Sequence, residues 1–362
     1  MTLRTFLIIA FISVVSVLVA MTGLHRPPET GEKILFPGIS ERINDIASLT
    51  IRSATGSITV KRSSQGWHLE EWDRYPADVS KIRAMIAEMI RAVLLEPKTT
   101  DVRRHALLDL ADPDGAAELP ADGRGRALTL HDANGNVLTA IIIGRRRFDL
   151  GGASAGGGEG IYVRRPGETQ TWLARTSLFP TTDLHDWVEP TVIELDSARL
   201  AQVTLSHCHP RHPHGHSMRV TQKGTPPTVT VDPILPHTKP DAKAIHRMLT
   251  LLSHITFENV RKSHVGIEKE NEDADARAVM TTHDGLQINV RAYNRGGATW
   301  LALTAHAARE STTTVNTEAE TLQRRHSQWL YKIPAPIAAA LHTRLENLMQ
   351  KPEQQEGEEQ VF

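Results

Sequence analysis

The 362-residue chain contains one cysteine, Cys208, and few aromatic residues, which make up 5% of the sequence. One cysteine cannot form an internal disulfide, and its presence alone does not identify the compartment. The charges nearly cancel, and the formal net charge of −1 gives no overall field that would attract nucleic acid. The composition, 40% hydrophobic and 23% charged, indicates a globular protein long enough for two domains.

Familiar catalytic motifs are also missing from the sequence. It has no G-x-S-x-G, H-E-x-x-H or C-x-x-C. The glycine-rich stretch 149–160 lies between two predicted strands and lacks the G-x-x-x-x-G-K-[ST] spacing of a phosphate-binding loop, so we interpret it as a connector. The sequence therefore predicts no catalytic residue and no cofactor.

Long uncharged runs are absent except near the N-terminus, where residues 6–24 carry no charge. As a helix this run would be roughly 28 Å long, close to the ~30 Å hydrocarbon core of a bilayer. It exceeds the apolar region of about 7–15 residues in a signal peptide, and no good A-x-A cleavage site follows. We predict an uncleaved transmembrane helix at 6–24, with a short cytoplasmic head at 1–5, a linker at 25–44 and the rest of the chain exported.

Two amphipathic segments recur 163 residues apart, "DVSKIRAMIAEMI" from Asp78 and "DAKAIHRMLTLL" from Asp241. Each begins with an aspartate suited to capping a helix, and apolar residues follow at i, i+3, i+4 and i+7. The aligned apolar positions are Ile82, Met85, Ile86 and Met89 in the first segment, and Ile245, Met248, Leu249 and Leu252 in the second. Both segments are predicted to be helices that pack on a core.

The flanks of these helices repeat as well. Each helix is followed by a predicted hairpin, beginning at Arg126 or Arg277, with tight-turn chemistry of the Asn-Gly or Asp-Gly type. Each hairpin is followed by an alternating run that ends in Trp-Leu. We predict an α+β fold made of two copies of one antiparallel-sheet-plus-helix unit, at 45–195 and 196–349, and an acidic disordered tail at 350–362.

The stretch "SHCHPRHPHGHS" places the only cysteine among five histidines. Alignment of the two repeats puts about six extra residues here, so we interpret it as an insertion at a hairpin tip. Imidazole and thiolate groups are donors for Zn²⁺, Ni²⁺ or Cu²⁺, but an exposed tip lacks fixed geometry. The alternative to an exposed polar loop is an envelope metal-binding site with the candidate ligands His207, Cys208, His209, His212, His214 and His216.

Two further features have a functional and a structural interpretation. The pairs His131-Asp132 and His283-Asp284 would suit an unrecognised hydrolase, but both stand at hairpin turns, where aspartate caps the backbone. The basic run Arg145 to Arg147 fits a solvated strand end, with contact to an anionic lipid or a partner as the alternative.

The segments "ALLDLADP", "LTLHDANGNVLTAIIIGRR", "GIYVRRPGETQTWLART" and "LHDWVEPTVIEL" together resemble the bacterial family called domain of unknown function 4340. The resemblance covers roughly residues 65–250 and consists of residues that mark turns and strand ends, not of catalytic residues. The loop at 151–158 is longer and richer in glycine than is usual in the family. It implies a membrane-anchored envelope protein, often encoded beside ABC-type transporter components related to those of gliding motility, with no enzymatic activity.

The leading expectation is therefore a non-enzymatic, single-pass protein of a bacterial inner membrane. Its C-terminal domains would lie in the periplasm and act as a scaffold or accessory subunit of an ABC-type export complex, in contact with integral membrane transporter subunits. A metal-binding envelope protein and a hydrolase are the two alternatives.

Overall fold

The computed structural model describes residues 33–115, 123–148, 159–207, 217–224, 228–236, 238–263 and 274–350. They form an α+β fold with mostly antiparallel strands, as the sequence predicts. The predicted head 1–5, transmembrane helix 6–24 and nearly all of the tail 350–362 lie outside the described residues, as does the first part of the linker 25–44. Within the described ranges, no helix has the length and apolar character needed to cross a bilayer.

Contacts group the chain into two compact units. Unit 1 comprises Met1–Ile46, Ile51–Gly56 and Arg83–Pro180, and unit 2 comprises Ala47–Thr50, Ser57–Ile82 and Thr181–Phe362. The division at 45–195 and 196–349 is based on the sequence repeat, and it stays a prediction.

The described strands are β1 (Lys33–Ile34), β2 (Ser48–Ser53), β3 (Gly56–Ser63), β4 (Gly66–Leu69), β5 (Tyr75–Pro76), β6 (Val93–Pro97), β7 (Arg126–His131), β8 (Val137–Arg147), β9 (Gly160–Arg164), β10 (Thr171–Arg175), β11 (Thr191–Glu194), β12 (Leu200–His207), β13 (Ser217–Lys223), β14 (Thr228–Asp232), β15 (His254–Thr256), β16 (Asn259–Lys262), β17 (Ala276–Thr282), β18 (Leu286–Arg295), β19 (Ala298–Ala307) and β20 (Trp329–Lys332). The α-helices are α1 (Val79–Arg91), α2 (Ala242–Ser253), α3 (Thr313–His326) and α4 (Ala335–Leu341). Short 3-10 helices occur at Ile43–Asp45, Glu70–Trp72, Val102–Leu108, Leu184–Trp187, Ser197–Arg199 and Leu345–Leu348.

In unit 1 the strands are arranged in the order β1-β6-β10-β9-β8-β7, with antiparallel pairing throughout. Both faces of this sheet carry buried side chains. Leu128, Ile141 and Ile143 lie on one face, and Ala127 and Ile142 pack with Leu110 on the other. A sheet buried on both faces explains the near-continuous isoleucine run of β8.

Unit 2 contains an eight-stranded sheet in the order β14-β13-β12-β17-β18-β19-β20-β16, a two-stranded sheet β11-β15, and the antiparallel series β3-β4-β5. The order β17-β18-β19-β20-β16 reproduces the order β7-β8-β9-β10-β6 of unit 1. The two hairpins that the sequence predicts after the repeated helices are therefore present, and each is followed by a corresponding pair of strands.

Both repeated helices are confirmed, and their apolar stripes are buried. Ile82 and Met89 of α1 and Ile245 and Leu252 of α2 are at most 1% exposed. Asp241 accepts hydrogen bonds from the first backbone amides of α2, as an N-cap should.

The helix α3, a third long helix between β19 and β20, is not predicted from the sequence. The reason is its polarity, because its buried positions are only Val315, Ala319 and His326. Such a helix has no apolar stripe of the kind that identifies α1 and α2. An ion pair helps hold it: Arg199 donates to both carboxylate oxygens of Glu318, at 2.8 and 2.6 Å.

Candidate functional site

The histidine-rich stretch lies at the tip of the β12–β13 hairpin. Ser206 and Ser217 pair directly, so 208–216 connects the two strands. Cys208, His209, His212, His214 and His216 lie outside the described residues. The ring of His207 stacks on that of His342, with 6.2 Å between centroids. Within the described part of the chain, no group of three or more potential ligands is arranged to hold a metal ion.

The two aspartates of the His-Asp pairs are engaged at the turns. Asp132 accepts hydrogen bonds from the backbone amides of Asn134 and Asn136 and from the Asn136 side chain. The side-chain hydrogen bond from Asn136 is the main cause that lowers the pKa of Asp132. Both the backbone and the side-chain bonds favour the ionised carboxylate that closes the β7–β8 turn.

Asp284, at the β17–β18 turn, accepts hydrogen bonds from Arg199 and Thr282. Burial acts to raise the pKa of Asp284, but these hydrogen bonds outweigh it and the pKa is lowered. The carboxylate is therefore part of the ion-pair group that includes Arg199 and Glu318.

The segment "ALLDLADP" contains the end of the Val102–Leu108 3-10 helix and the loop after it, which approaches the β7–β8 hairpin at very short range. A Cβ atom added at Gly144 would lie 2.2 Å from the carbonyl oxygen of Leu108, and one at Gly125 would lie 3.0 Å from that of Asp109. Asp109 itself adopts a left-handed backbone with φ of 55°. Glycine is needed at position 144 because the loop backbone occupies the space of a side chain.

The buried side chain of Arg164 fixes the far end of this loop. Its Nε and Nη2 atoms donate to the carbonyl oxygen of Leu110, and Nη2 also lies 3.1 Å from the Asp112 carboxylate. The segments "YVRR" and "LADP", which are far apart in the sequence, thus form one structural module in which Arg164 holds the loop backbone.

The three arginines of the basic run have different partners. Arg145 forms an ion pair with Asp109 at 3.1 Å, and Arg147 forms one with Glu96 at 3.9 Å. The guanidinium carbon of Arg146 instead lies 3.9 Å from the centre of the Phe179 ring. Only the middle arginine is therefore directed to an aromatic surface rather than to an acid.

A second arginine approaches the same ring. The guanidinium carbon of Arg126, at the start of β7, lies 4.2 Å from the centre of Phe179. Burial, followed by the nearby charge of Arg146, lowers the pKa of Arg126. The Nε atom of Arg146 is buried and has no hydrogen-bond partner within the described residues. We call Arg126, Arg146 and Phe179 the arginine pair site.

A β-bulge produces this arrangement. Ile143 pairs with Val163, but Arg146 pairs with Ile161, so β8 has one residue more than β9 over this stretch. Arg146 consequently faces the same side of the sheet as Ile161. In a regular ladder without the bulge, Arg145 would pair with Ile161 and would face that side instead. Arg126 pairs with Ile143 and faces that side as well. The arginine run is visible in the sequence, but the roles of Arg126 and Phe179 are not, because no local pattern indicates the bulge.

Unit 2 contains a buried polar pair among aromatic rings. Nδ1 of His326 is hydrogen-bonded to the Tyr331 hydroxyl at 2.7 Å. The rings of Tyr75 and Phe257 pack against Tyr331, and Trp329 packs against Tyr75. Burial lowers the pKa of His326 to about 3. The imidazole is therefore neutral at ordinary pH and forms part of the core.

The sequence matches the family described as Domain of unknown function (DUF4340) over residues 67–278, which is more than half of the chain. The chain belongs to the DUF4340 family. A search of curated proteins finds no match to it. The matched DUF4340 range contains α1, α2, the Arg164–Leu110 module and the arginine pair site.

Proposed function

We propose that the protein is a non-enzymatic accessory or scaffold subunit of an ABC-type export complex. In this proposal residues 6–24 hold it in a bacterial inner membrane, and the rest of the chain lies in the periplasm. Membership of the DUF4340 family carries the proposal, because the resemblance implies an envelope protein encoded beside ABC-type transporter components. The proposed partner is an integral membrane subunit of that transporter.

The geometry of unit 1 is suited to protein contact. The Val102–Leu108 helix leads into the loop that Arg164 fixes, and its Val102 and Leu107 are 61% and 67% exposed. Two large apolar side chains on a fixed support give a partner a preorganised contact. Confinement to a membrane raises the effective concentration of a co-embedded partner, so a modest interface suffices.

The test is co-purification from native membranes, followed by in-cell crosslinking of variants. We expect transporter subunits in stoichiometric amount with the wild type, and loss of crosslinks in a Val102→Asp, Leu107→Asp double variant. Val137→Asp is the matched control, because Val137 is 59% exposed on the β7–β8 hairpin. Absence of transporter subunits from the wild-type preparation would contradict the proposal.

Replacing residues 1–24 with an unrelated membrane anchor distinguishes the contribution of the anchor to partner recognition from that of the exported domains. Crosslinks that persist assign recognition to the domains, as we propose, whereas their loss in a folded protein would assign it to residues 6–24. Amino-terminal sequencing of the membrane-extracted protein checks the anchor itself, since a start near Met21 or later would mean that the segment is removed.

A second candidate function is metal binding in the envelope. The specific observation in its favour is that His342 places another imidazole beside His207, at the base of the histidine-rich tip. Zn²⁺ titration of the full chain tests it, with His342→Gln as the informative variant and His246→Gln, an exposed histidine on α2, as the control. Sub-micromolar affinity that His342→Gln weakens would favour this function over the first.

A further inference from the structure

We propose that Arg126, Arg146 and Phe179 bind a phosphate group. This inference does not rest on the proposed function, because it concerns a ligand site in unit 1 and holds with or without a transporter partner. The phosphate would belong either to a soluble phosphorylated molecule or to the headgroup of a phospholipid.

The first argument is geometric. The bulge between Ile143 and Arg146 places Arg146 on the same side of the sheet as Arg126. Both guanidinium groups are held at about van der Waals distance from one ring, 4.2 and 3.9 Å from its centre. Phe179 thereby fixes two side chains that would otherwise sample many rotamers, so less conformational entropy remains to be lost on binding.

The second argument is electrostatic. Neither arginine forms an ion pair with an acid in the described part of the chain, although Arg145 and Arg147 on the same strand both do. The acid whose charge acts on Arg126 is Asp109, which Arg145 already engages. Two half-buried like charges repel one another, and an anion between or beside them would relieve that repulsion.

The third argument identifies the anion. A guanidinium stacked on a ring keeps its N–H donors in its own plane, available for bidentate hydrogen bonds. The paired N–H donors of one guanidinium group are satisfied by the two oxygens of a carboxylate. The donors of two guanidinium groups together match an anion with three or more oxygens and up to two negative charges. The Nε of Arg146 is buried, so the donors that Arg146 offers to a ligand are those of its terminal Nη atoms. A phosphate group fits this donor set better than a carboxylate does.

The experiment is calorimetric titration of the full chain in a non-ionic detergent. The probes are inorganic phosphate, glycerol 3-phosphate and dihexanoyl phosphatidylglycerol below its micelle concentration, with acetate as the carboxylate control. We expect a dissociation constant below about 1 mM for at least one phosphate probe and no competition by acetate. Binding of the soluble phosphates assigns the ligand to solution, and binding of the lipid alone assigns it to a headgroup.

Variants on adjacent residues give a matched comparison. Arg146→Gln is expected to weaken binding at least tenfold, whereas Arg145→Gln, with the same loss of charge one residue away, should change it less than about threefold. Phe179→Leu should also weaken binding while keeping both charges, and circular dichroism verifies that each variant is folded. Failure of every phosphate probe to bind the wild type, or equal losses in the Arg145 and Arg146 variants, would overturn the proposal.

Discussion

Arg164 donates to the carbonyl oxygen of Leu110 from two nitrogens, Nε at 3.1 Å and Nη2 at 3.0 Å. Its third nitrogen donates to the carbonyl oxygen of Glu168. One side chain on β9 therefore satisfies the backbone of a distant loop and of the turn that follows its own strand. Because a charged planar donor serves both, the residue type matters here as much as the charge.

Replacement of Arg164 tests this arrangement. Arg164→Lys keeps the positive charge but removes the planar set of guanidinium N–H donors. A lysine cannot donate to the Leu110 and Glu168 carbonyl oxygens at the same time. We expect the free energy of unfolding to fall by about 1.5–3 kcal/mol, the usual cost of losing buried hydrogen bonds to a charged group. Urea unfolding measures it, with Arg103→Lys as the control, because that side chain is 90% exposed. Equal stability of the Arg164→Lys and Arg103→Lys variants would show that the guanidinium group of Arg164 is not needed for stability.

The close approach at Gly144 makes a second prediction. Gly144→Ala would force a Cβ atom to within 2.2 Å of the Leu108 carbonyl oxygen, which is a backbone atom and not the end of a flexible side chain. We expect a loss of more than about 2 kcal/mol. Gly56→Ala is the control, because a Cβ there meets nothing within 4 Å, and it should be neutral or slightly stabilising. A thermal shift that is the same for both variants would contradict the described loop position.

His326 predicts a pH dependence of stability. Its pKa falls from 6.5 to about 3 on folding, so the unfolded chain binds more protons between these values. The contribution to stability is complete above about pH 6.5 and is lost progressively as the pH falls toward 3. Between pH 7.5 and pH 5 we expect the wild type to lose about 2 kcal/mol from this group, at about 1.4 kcal/mol per pKa unit.

Urea unfolding at both pH values measures the effect. In His326→Gln the loss between pH 7.5 and pH 5 should shrink by about this amount, whereas the exposed His246→Gln should behave as the wild type does. An unchanged pH dependence in the His326 variant would mean that folding does not lower the pKa of this imidazole.

The histidine-rich tip is predicted to be dispensable for folding. Deletion of Cys208 to Gly215 shortens a hairpin connection between β12 and β13 and removes no described contact. Changes at exposed tips usually alter stability by less than roughly 0.5 kcal/mol. Thermal unfolding with and without chelator checks this, and a loss of several kcal/mol would instead favour a structured metal site.

The sequence identified the elements that have strong local patterns. The helices α1 and α2 show the 3.6-residue apolar period, and the β7–β8 and β17–β18 turns carry Asn-Gly and Asp-Gly. The helix α3 is not predicted from the sequence because it buries so few apolar residues. The arginine pair site could not be predicted for another reason. Arg126, Arg146 and Phe179 are brought together by pairing across three strands and by one bulge, and neither the pairing nor the bulge is visible in the local sequence.

We expect the bulge also to affect the fidelity of folding. The five-strand order β7-β8-β9-β10-β6 recurs as β17-β18-β19-β20-β16, so the β7–β8 and β17–β18 hairpins could compete for the same neighbouring strands. Chains with repeated folds are prone to such misassembly. Here β18 and β19 pair over ten residues with no shift, whereas β8 carries one extra residue in its pairing with β9. A strand that docked in the wrong sheet would lose its register after a few residues, and the mistaken pairing would be short-lived.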